Sequence, residues 1–358
     1  MDKIKTLFTA DYHEEWFQKF EEFVEFERKG YGLHQTPMPE TIKGQELIDA
    51  LQGKEMFLIG YDPVTAEVLD KCPDLKVIFS VRDGAEENID IEACTKAGIP
   101  VITSAGRCAV SVAEFTLMLM LLLARPMAPI MRRMRDEGWS KDNTKQLRAM
   151  HATKSTELYG KNLGIIGFGR NARTLAVLAN AFNMTVNAYD PFVTEEGMAA
   201  CNVNKMSLED VVKTADYLVI LARVTKETEG ILSRELIYSM KKTASIVNTG
   251  RAKLVDNEAI LDALEEGVIK SAALDVHSPE PLGKVGEHRI YNIPEEKLIM
   301  TPHAAGNTLE RPYHQFNLLY TQMLDYFKGI IPNGCINKKV FDEPAFKERG
   351  GKFFGIQK

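Results

Sequence analysis

One segment constrains the fold of this chain more than any other: Leu163-Gly164-Ile165-Ile166-Gly167-Phe168-Gly169-Arg170-Asn171-Ala172. The apolar run Leu163 to Ile166 reads as a buried strand that ends in G-x-G-x-x-A and passes into a helix-like run, Arg173 to Ala181. A second apolar strand, Thr185 to Tyr189, closes on Asp190 about twenty residues past the glycines. Strand, turn, helix and strand make a βαβ unit, which commits this part of the chain to a parallel sheet. Gly167 allows the tight strand-to-helix turn, Gly169 lets a pyrophosphate approach the backbone, and Ala172 is small enough for the helix to pack on the strand. Free N–H groups at the helix start, around Arg170 and Asn171, favour phosphates. Asp190 can accept hydrogen bonds from a ribose diol and repels a 2′-phosphate, and Pro191-Phe192-Val193 offers no arginine to receive one. A dinucleotide site is expected, for NAD rather than NADP.

The 358 residues, 45% hydrophobic, suffice for two domains of ordinary size. A net charge of −6 argues against a nucleic-acid surface. Arg132, Arg133 and Arg135, interleaved with Met131 and Met134, read as a solvated helix face. The cysteines, Cys72, Cys94, Cys108, Cys201 and Cys335, are odd in number and lack C-x-x-C spacing, so neither a disulfide framework nor a metal site is expected. No hydrophobic signal core follows Met1, and the most apolar segment, Thr116 to Ala124, is too short to cross a bilayer. The expectation is a cytoplasmic protein with no membrane partner.

Strand candidates Ile4 to Thr9, Met56 to Gly60, Lys76 to Val81 and Val101 to Thr103 alternate with helical patterns at Gly44 to Leu51, Ala66 to Lys71 and Ile91 to Lys96. Asp11 to Glu40, mixing acids with aromatics, is poorly readable. A helical stretch from Val110 to Arg135 should be kinked or broken by Pro126 and Pro129, and the polar segment Asp136 to Leu158 reads as a loop. A second series follows, with strands at Gly164 to Ile166, Thr185 to Tyr189, Tyr217 to Leu221, Ser245 to Asn248, Ala272 to Val276 and Leu298 to Met300. A final helix, Leu309 to Phe327, should return to the first unit, leaving Phe341 to Lys358 as an arm or disordered end. The expected fold class is α/β, with two doubly wound parallel-sheet domains, one inserted in the other.

Several motifs resemble those of the D-isomer-specific 2-hydroxyacid dehydrogenase family, over about Leu75 to Phe327. They are Ser111-Val112-Ala113-Glu114, Glu157-Leu158-Tyr159-Gly160-Lys161, Val247-Asn248-Thr249-Gly250-Arg251-Ala252, Ala272-Ala273-Leu274-Asp275-Val276 with Pro279-Glu280-Pro281, and Thr301-Pro302-His303. The resemblance implies a Rossmann NAD domain, residues 109–305, inserted into a flavodoxin-like substrate domain, residues 1–108 and 306–358. It implies a homodimer and an NAD-dependent enzyme that interconverts a small 2-hydroxy acid and its 2-oxo acid. A corepressor-like NAD-sensing protein of the same fold is the alternative.

The chemistry explains the residue types. Forming the hydroxyl needs a proton, which an imidazolium, His303, can supply. A neighbouring carboxylate, Glu280, would hold the tautomer and stabilise the charged form. A guanidinium, Arg251, can fork to the substrate carboxylate. His277, inside the glutamate motif, is a rival to His303, and each of the three also has a structural reading. By the resemblance, Ala222, Thr249, Asp275 and Ala305 line the cofactor; Asp275 could equally satisfy local backbone.

Two departures concern the substrate loops. The family often carries R-x-G-x-G where this chain has Arg82-Asp83-Gly84-Ala85-Glu86, so Glu86 replaces the second glycine and could narrow the loop or repel acids. In Ser104-Ala105-Gly106-Arg107-Cys108, Cys108 stands where Asn is common. Arg82, Gly84 and Arg107 are the substrate-side candidates. The helix Val110 to Ala124 is apolar almost all round, which fits burial at a subunit interface or in its own core.

Overall fold

In the computed structural model, residues 3–29, 41–125 and 127–355 are described. The chain divides into two compact units, Met1–Cys108 with Thr308–Lys358 and Ala109–Asn307. In the first unit, strands β1 (Ile4–Phe8), β2 (Val24–Arg28), β3 (Met56–Ile59), β4 (Val77–Ser80) and β5 (Val101–Thr103) alternate with helices α1 (Glu14–Phe20), α2 (Gln45–Leu51), α3 (Ala66–Lys71) and α4 (Ile91–Lys96). The strands are parallel, in the order β2-β1-β3-β4-β5. β3 and β4 are buried at every position, as a sheet covered on both faces requires. One face packs an aromatic core that includes Phe8, Phe17, Phe20 and Phe79. The other packs Leu7, Leu47, Phe57 and Ile59. This is the flavodoxin-like winding, whose strand order reverses between β1 and β3.

The second unit opens with helices α5 (Ala109–Ala124), α6 (Met127–Glu137) and α7 (Lys141–Lys154). There follow β6 (Asn162–Ile166), α8 (Arg170–Ala181), β7 (Thr185–Tyr189), α9 (Glu195–Ala199), β8 (Asn204–Lys205), α10 (Leu208–Thr214) and β9 (Tyr217–Ile220). The unit continues through α11 (Arg234–Tyr238), β10 (Ser245–Asn248), α12 (Asn257–Glu265), β11 (Ser271–Leu274) and β12 (Leu298–Met300). Its seven strands form one parallel sheet, β12-β11-β10-β9-β6-β7-β8. The order reverses between β6 and β9, the Rossmann switch point. α5 packs on α8, whose small buried residues Ala172, Ala176 and Ala179 permit a close approach.

The chain then returns to the first unit with α13 (Arg311–Phe327) and α14 (Pro344–Glu348). α13 buries Phe316, Leu319, Met323 and Tyr326 in the aromatic core.

Some elements differ from the sequence reading. The segment Asp136 to Leu158 is not a loop: it holds α7, started by Ser140, whose hydroxyl accepts from Asp142 N at 3.2 Å while Asn143 Oδ1 accepts from Ser140 N at 3.0 Å. The helical stretch is broken as expected, α5 ending at Ala124 and α6 starting at Met127, but Pro129 does not interrupt α6, because it falls in the first turn, where a missing N–H costs nothing. Pro126 lies outside the described residues. The unreadable stretch contains α1 and β2, and its residues 30–40 lie outside the described residues. The tail is neither an arm nor disordered over its described part. Phe341, Phe346 and Phe354 pack together with their rings edge-on or tilted, and Arg349 donates to the carbonyls of Leu75 at 2.7 Å and Leu69 at 3.0 Å, and to that of Cys72. Eight residues of α5 are buried in its own unit, while Val110, Met118 and Leu121 remain exposed. Among the described residues no single helix is long and apolar enough to cross a membrane.

Candidate active site

The loops at the C-terminal ends of the strands in the second unit carry most of the predicted residues along one edge. At the end of β6, Gly167 has φ +89°, and a Cβ there would lie 2.4 Å from the Cα of Ala222, just past β9. Only glycine fits this crossing of two backbones. Gly169 is the N-cap of α8 without a side-chain cap, and a Cβ there would meet nothing within 4 Å. With no side chain at the N-cap, the first N–H groups of α8, at Arg170 and Asn171, have no side-chain cap from Gly169, and a helix start of this kind suits a phosphate group. Asp190 is fixed at the end of β7: Oδ2 accepts from Phe168 N and Oδ1 from Phe192 N, both at 2.8 Å. The carboxylate is oriented by the glycine loop itself and keeps lone pairs for further donors. These residues fit a dinucleotide.

After β10, Asn248 shapes the turn: its Oδ1 accepts from Gly250 N at 3.0 Å and its Nδ2 donates to Arg251 O at 3.1 Å. Thr249 is buried, with its hydroxyl 2.7 Å from that of Thr116. Thr116 donates to Val112 O at 2.7 Å, so the proton between the two threonines belongs to Thr249. Arg251 is exposed, its Nη1 donating to Gly250 O at 2.8 Å.

Asp275, fully buried past β11, organises the turn beyond β12. Its Oδ1 accepts from Thr301 Oγ1 at 2.5 Å and Ala304 N at 2.9 Å, and its Oδ2 from Ala305 N at 3.0 Å. Its carbonyl accepts from His303 N at 2.8 Å. That turn holds His303 at φ +52°. The Nδ1 of His303 lies 2.5 Å from Oε1 of Glu280. A carboxylate only accepts, so Nδ1 carries the hydrogen and Nε2 is the nitrogen left for exchange. His277, the rival, is only 8% exposed, and its Nε2 is 2.9 Å from the Thr301 carbonyl. Geometry pairs Glu280 with His303 and not with His277.

The remaining candidates lie in the first unit. Arg82 and Gly84 share the loop after β4, where Arg82 Nη1 donates to Asn88 Oδ1 at 2.8 Å and Nη2 pairs with Glu87. Asp83 Oδ1 accepts from Gly106 N at 3.0 Å, tying this loop to the one after β5. Arg107 donates to Oε1 of the fully buried Gln315 at 2.6 Å, and Gln315 reaches Asp11, which also holds Arg311 at 3.2 Å. Sequence reasoning missed Gln315 and Thr116. The available signal was a polar residue on the apolar face of a helix.

Residues 117–305 match the model of the D-isomer specific 2-hydroxyacid dehydrogenase family, NAD binding domain. The chain belongs to this family. It is similar to the D-3-phosphoglycerate dehydrogenase of Bacillus subtilis, with 34% identity over 79% of this chain and 51% of that protein. It thus spans about half the length of that relative. It is also similar to the glyoxylate reductase of Thermofilum pendens, with 32% identity over 83% of this chain and 85% of that protein. Among solved structures, the NAD complexed form of a D-isomer specific 2-hydroxyacid dehydrogenase from Lactobacillus delbrueckii ssp. bulgaricus superposes with a TM-score of 0.71. That match covers 93% of this chain and all of the other at 23% identity, a likeness of fold. The glycine cradle at the β6/β9 switch point belongs to the family's NAD-binding domain.

Proposed function

We propose that this chain is an NAD-dependent oxidoreductase that interconverts a small D-2-hydroxy acid and its 2-oxo acid. The observation that carries the reading is the Glu280–His303 pair, on the same sheet edge as the glycine cradle. Gly167, Gly169, Arg170, Asn171, Asp190, Ala222, Thr249, Asp275 and Ala305 would hold NAD, which when bound supplies or takes up the hydride. Glu280 keeps the hydrogen on Nδ1 of His303 and stabilises the imidazolium, so Nε2–H is the proton donor when the oxo acid is reduced. In the reverse direction neutral Nε2 takes the hydroxyl proton. Arg251 swings from its neighbour's carbonyl to fork the substrate carboxylate. The unit Ala109–Asn307 would be the cofactor domain and the unit containing Arg82, Gly84 and Arg107 the substrate domain. The exposed apolar stripe Val110, Met118 and Leu121 on α5 supports a homodimer. Five free cysteines suit the cytoplasm.

The test is a panel of 2-oxo acids with NADH, followed by loss of the nicotinamide absorbance. His303→Ala should lose about a hundredfold or more in kcat and still bind NADH. Reduction consumes a proton and oxidation releases one, so raising the pH should disfavour the first and favour the second, and Glu280→Gln should cost activity in both directions while NADH still binds. NADH binding with no turnover of any acid would instead favour an NAD-sensing protein.

A further inference from the structure

The N-terminal edge of the second unit's sheet, opposite the glycine cradle, carries lysines that the dinucleotide chemistry does not use. Lys161 stands immediately before β6 and Lys270 immediately before β11. Backbone hydrogen bonds lace the strand starts between them: Lys270 N donates to Ala244 O, Ser245 N to Asp216 O and Asp216 N to Asn162 O, each at 2.9 Å. The carboxylate on this edge is already engaged. Asp216 Oδ2 accepts from Asn162 N at 2.8 Å, and Oδ1 pairs with Lys241 Nζ at 2.9 Å. Lys161 and Lys270 are both half-buried, and among the described residues neither ammonium has a hydrogen-bond or ion-pair partner. Burial first, and then the charge of Lys161, hold the Lys270 amine below the ordinary lysine range. An ammonium drawn partly out of water beside a like charge is unfavourable until an anion answers both.

We propose that Lys161 and Lys270 form a binding site for a divalent inorganic oxyanion, phosphate, separate from the cofactor cradle. Two ammonium point charges suit a doubly charged oxyanion, and the pair offers no guanidinium fork for a carboxylate. The cradle lies at the other ends of the same strands, on the order of 15 Å away for strands of this length.

The full chain saturated with NADH tests the site, because a filled cradle cannot take the added ion. Inorganic phosphate should raise the thermal unfolding midpoint by about 2 °C or more above chloride at matched ionic strength. Phosphate also stabilises folded proteins generally, by exclusion from their surface, so the comparison with variants decides. Lys161→Met and Lys270→Met keep the apolar stem and remove the charge, and each should lose most of the rise. In chloride alone, Lys270→Met should hold or raise the midpoint, since it removes a charge that nothing answers. Equilibrium dialysis of the wild-type NADH complex should find about one phosphate bound per chain, a readout that does not depend on how well a variant folds. A rise of the same size in wild type and both variants, a fall of the Lys270→Met midpoint in chloride, or dialysis that finds no bound phosphate overturns the proposal. None of these readouts involves turnover, so the functional reading stands or falls apart from them.

Discussion

His303 is a non-glycine residue in the left-handed region, a conformation that costs roughly 1–3 kcal/mol and persists only where its surroundings impose it. Asp275 imposes it, through three hydrogen bonds from the turn to its carboxylate and one from His303 N to its carbonyl. The residue types of the candidate site were legible because the proposed chemistry demands them: a guanidinium, a carboxylate and an imidazole, in that order along the chain. The local duty of Asp275 was legible only as one of two readings, since a motif does not say where a carboxylate's lone pairs go. Two outcomes belong at this scale. Arg251→Lys should be clearly impaired in kcat/KM, by about tenfold or more, with NADH affinity little changed, because an ammonium cannot reproduce the planar fork; normal steady-state kinetics would take Arg251 out of the site. The thiols make the second. Burial pushes Cys94 up to about 12, Cys335 up to about 11, and Cys72 upward as well. Thiolate is the reactive form, so near pH 8 these three should resist alkylation in the folded protein while half-buried Cys108 and Cys201 label first. Mass spectrometry after brief iodoacetamide treatment reads the order.

Elements were legible where burial imposes a period. Most strands of both sheets are largely buried apolar runs, and the sequence reading finds all but β2 and β8. β8 has only two residues, too few to show a pattern. β2, Val-Glu-Phe-Glu-Arg, does alternate, but it is a sheet edge set among charges and aromatics that mask it. α7 escaped for a different reason: Leu147 is its one buried residue, so it has no apolar stripe to read, and capping rather than core burial marks its start. The C-terminal segment escaped because its anchor is not a periodic pattern but a single cation. Arg349 binds the carbonyls of Leu69 and Cys72 at the C-terminal end of α3 and of Leu75 beyond it, where a guanidinium also suits the helix dipole. Arg349→Ala should lower stability by about 2 kcal/mol, since it strands half-buried carbonyls. Denaturant titration followed by circular dichroism measures this, and a midpoint unchanged from the wild type would show the anchor to be idle.

At the scale of the whole molecule, the stripe on α5 predicts the assembly. Light scattering should give about twice the 40.2 kDa chain mass, and Leu121→Glu should return it toward one chain by burying a charge in the interface; a wild-type mass of one chain would remove the homodimer reading. The two-ended construction of the first unit has a consequence in time. The outer edge of β5 is closed by residues from far along the chain: Thr103 N donates to Gly334 O at 2.9 Å, Ile336 N donates to Val101 O at 3.0 Å, and Asn337 Oδ1 accepts from Val101 N at 2.8 Å. A ribosome adding roughly 5–20 residues per second needs on the order of ten to fifty seconds to travel from β5 to that closing segment. The second unit, contiguous from Ala109 to Asn307, can fold during the wait. Throughout it, the nascent first sheet offers an unpaired strand edge to any neighbouring chain. The interval in which this protein is most exposed to aggregation is therefore built into the order of its synthesis, and slowing translation should lengthen it.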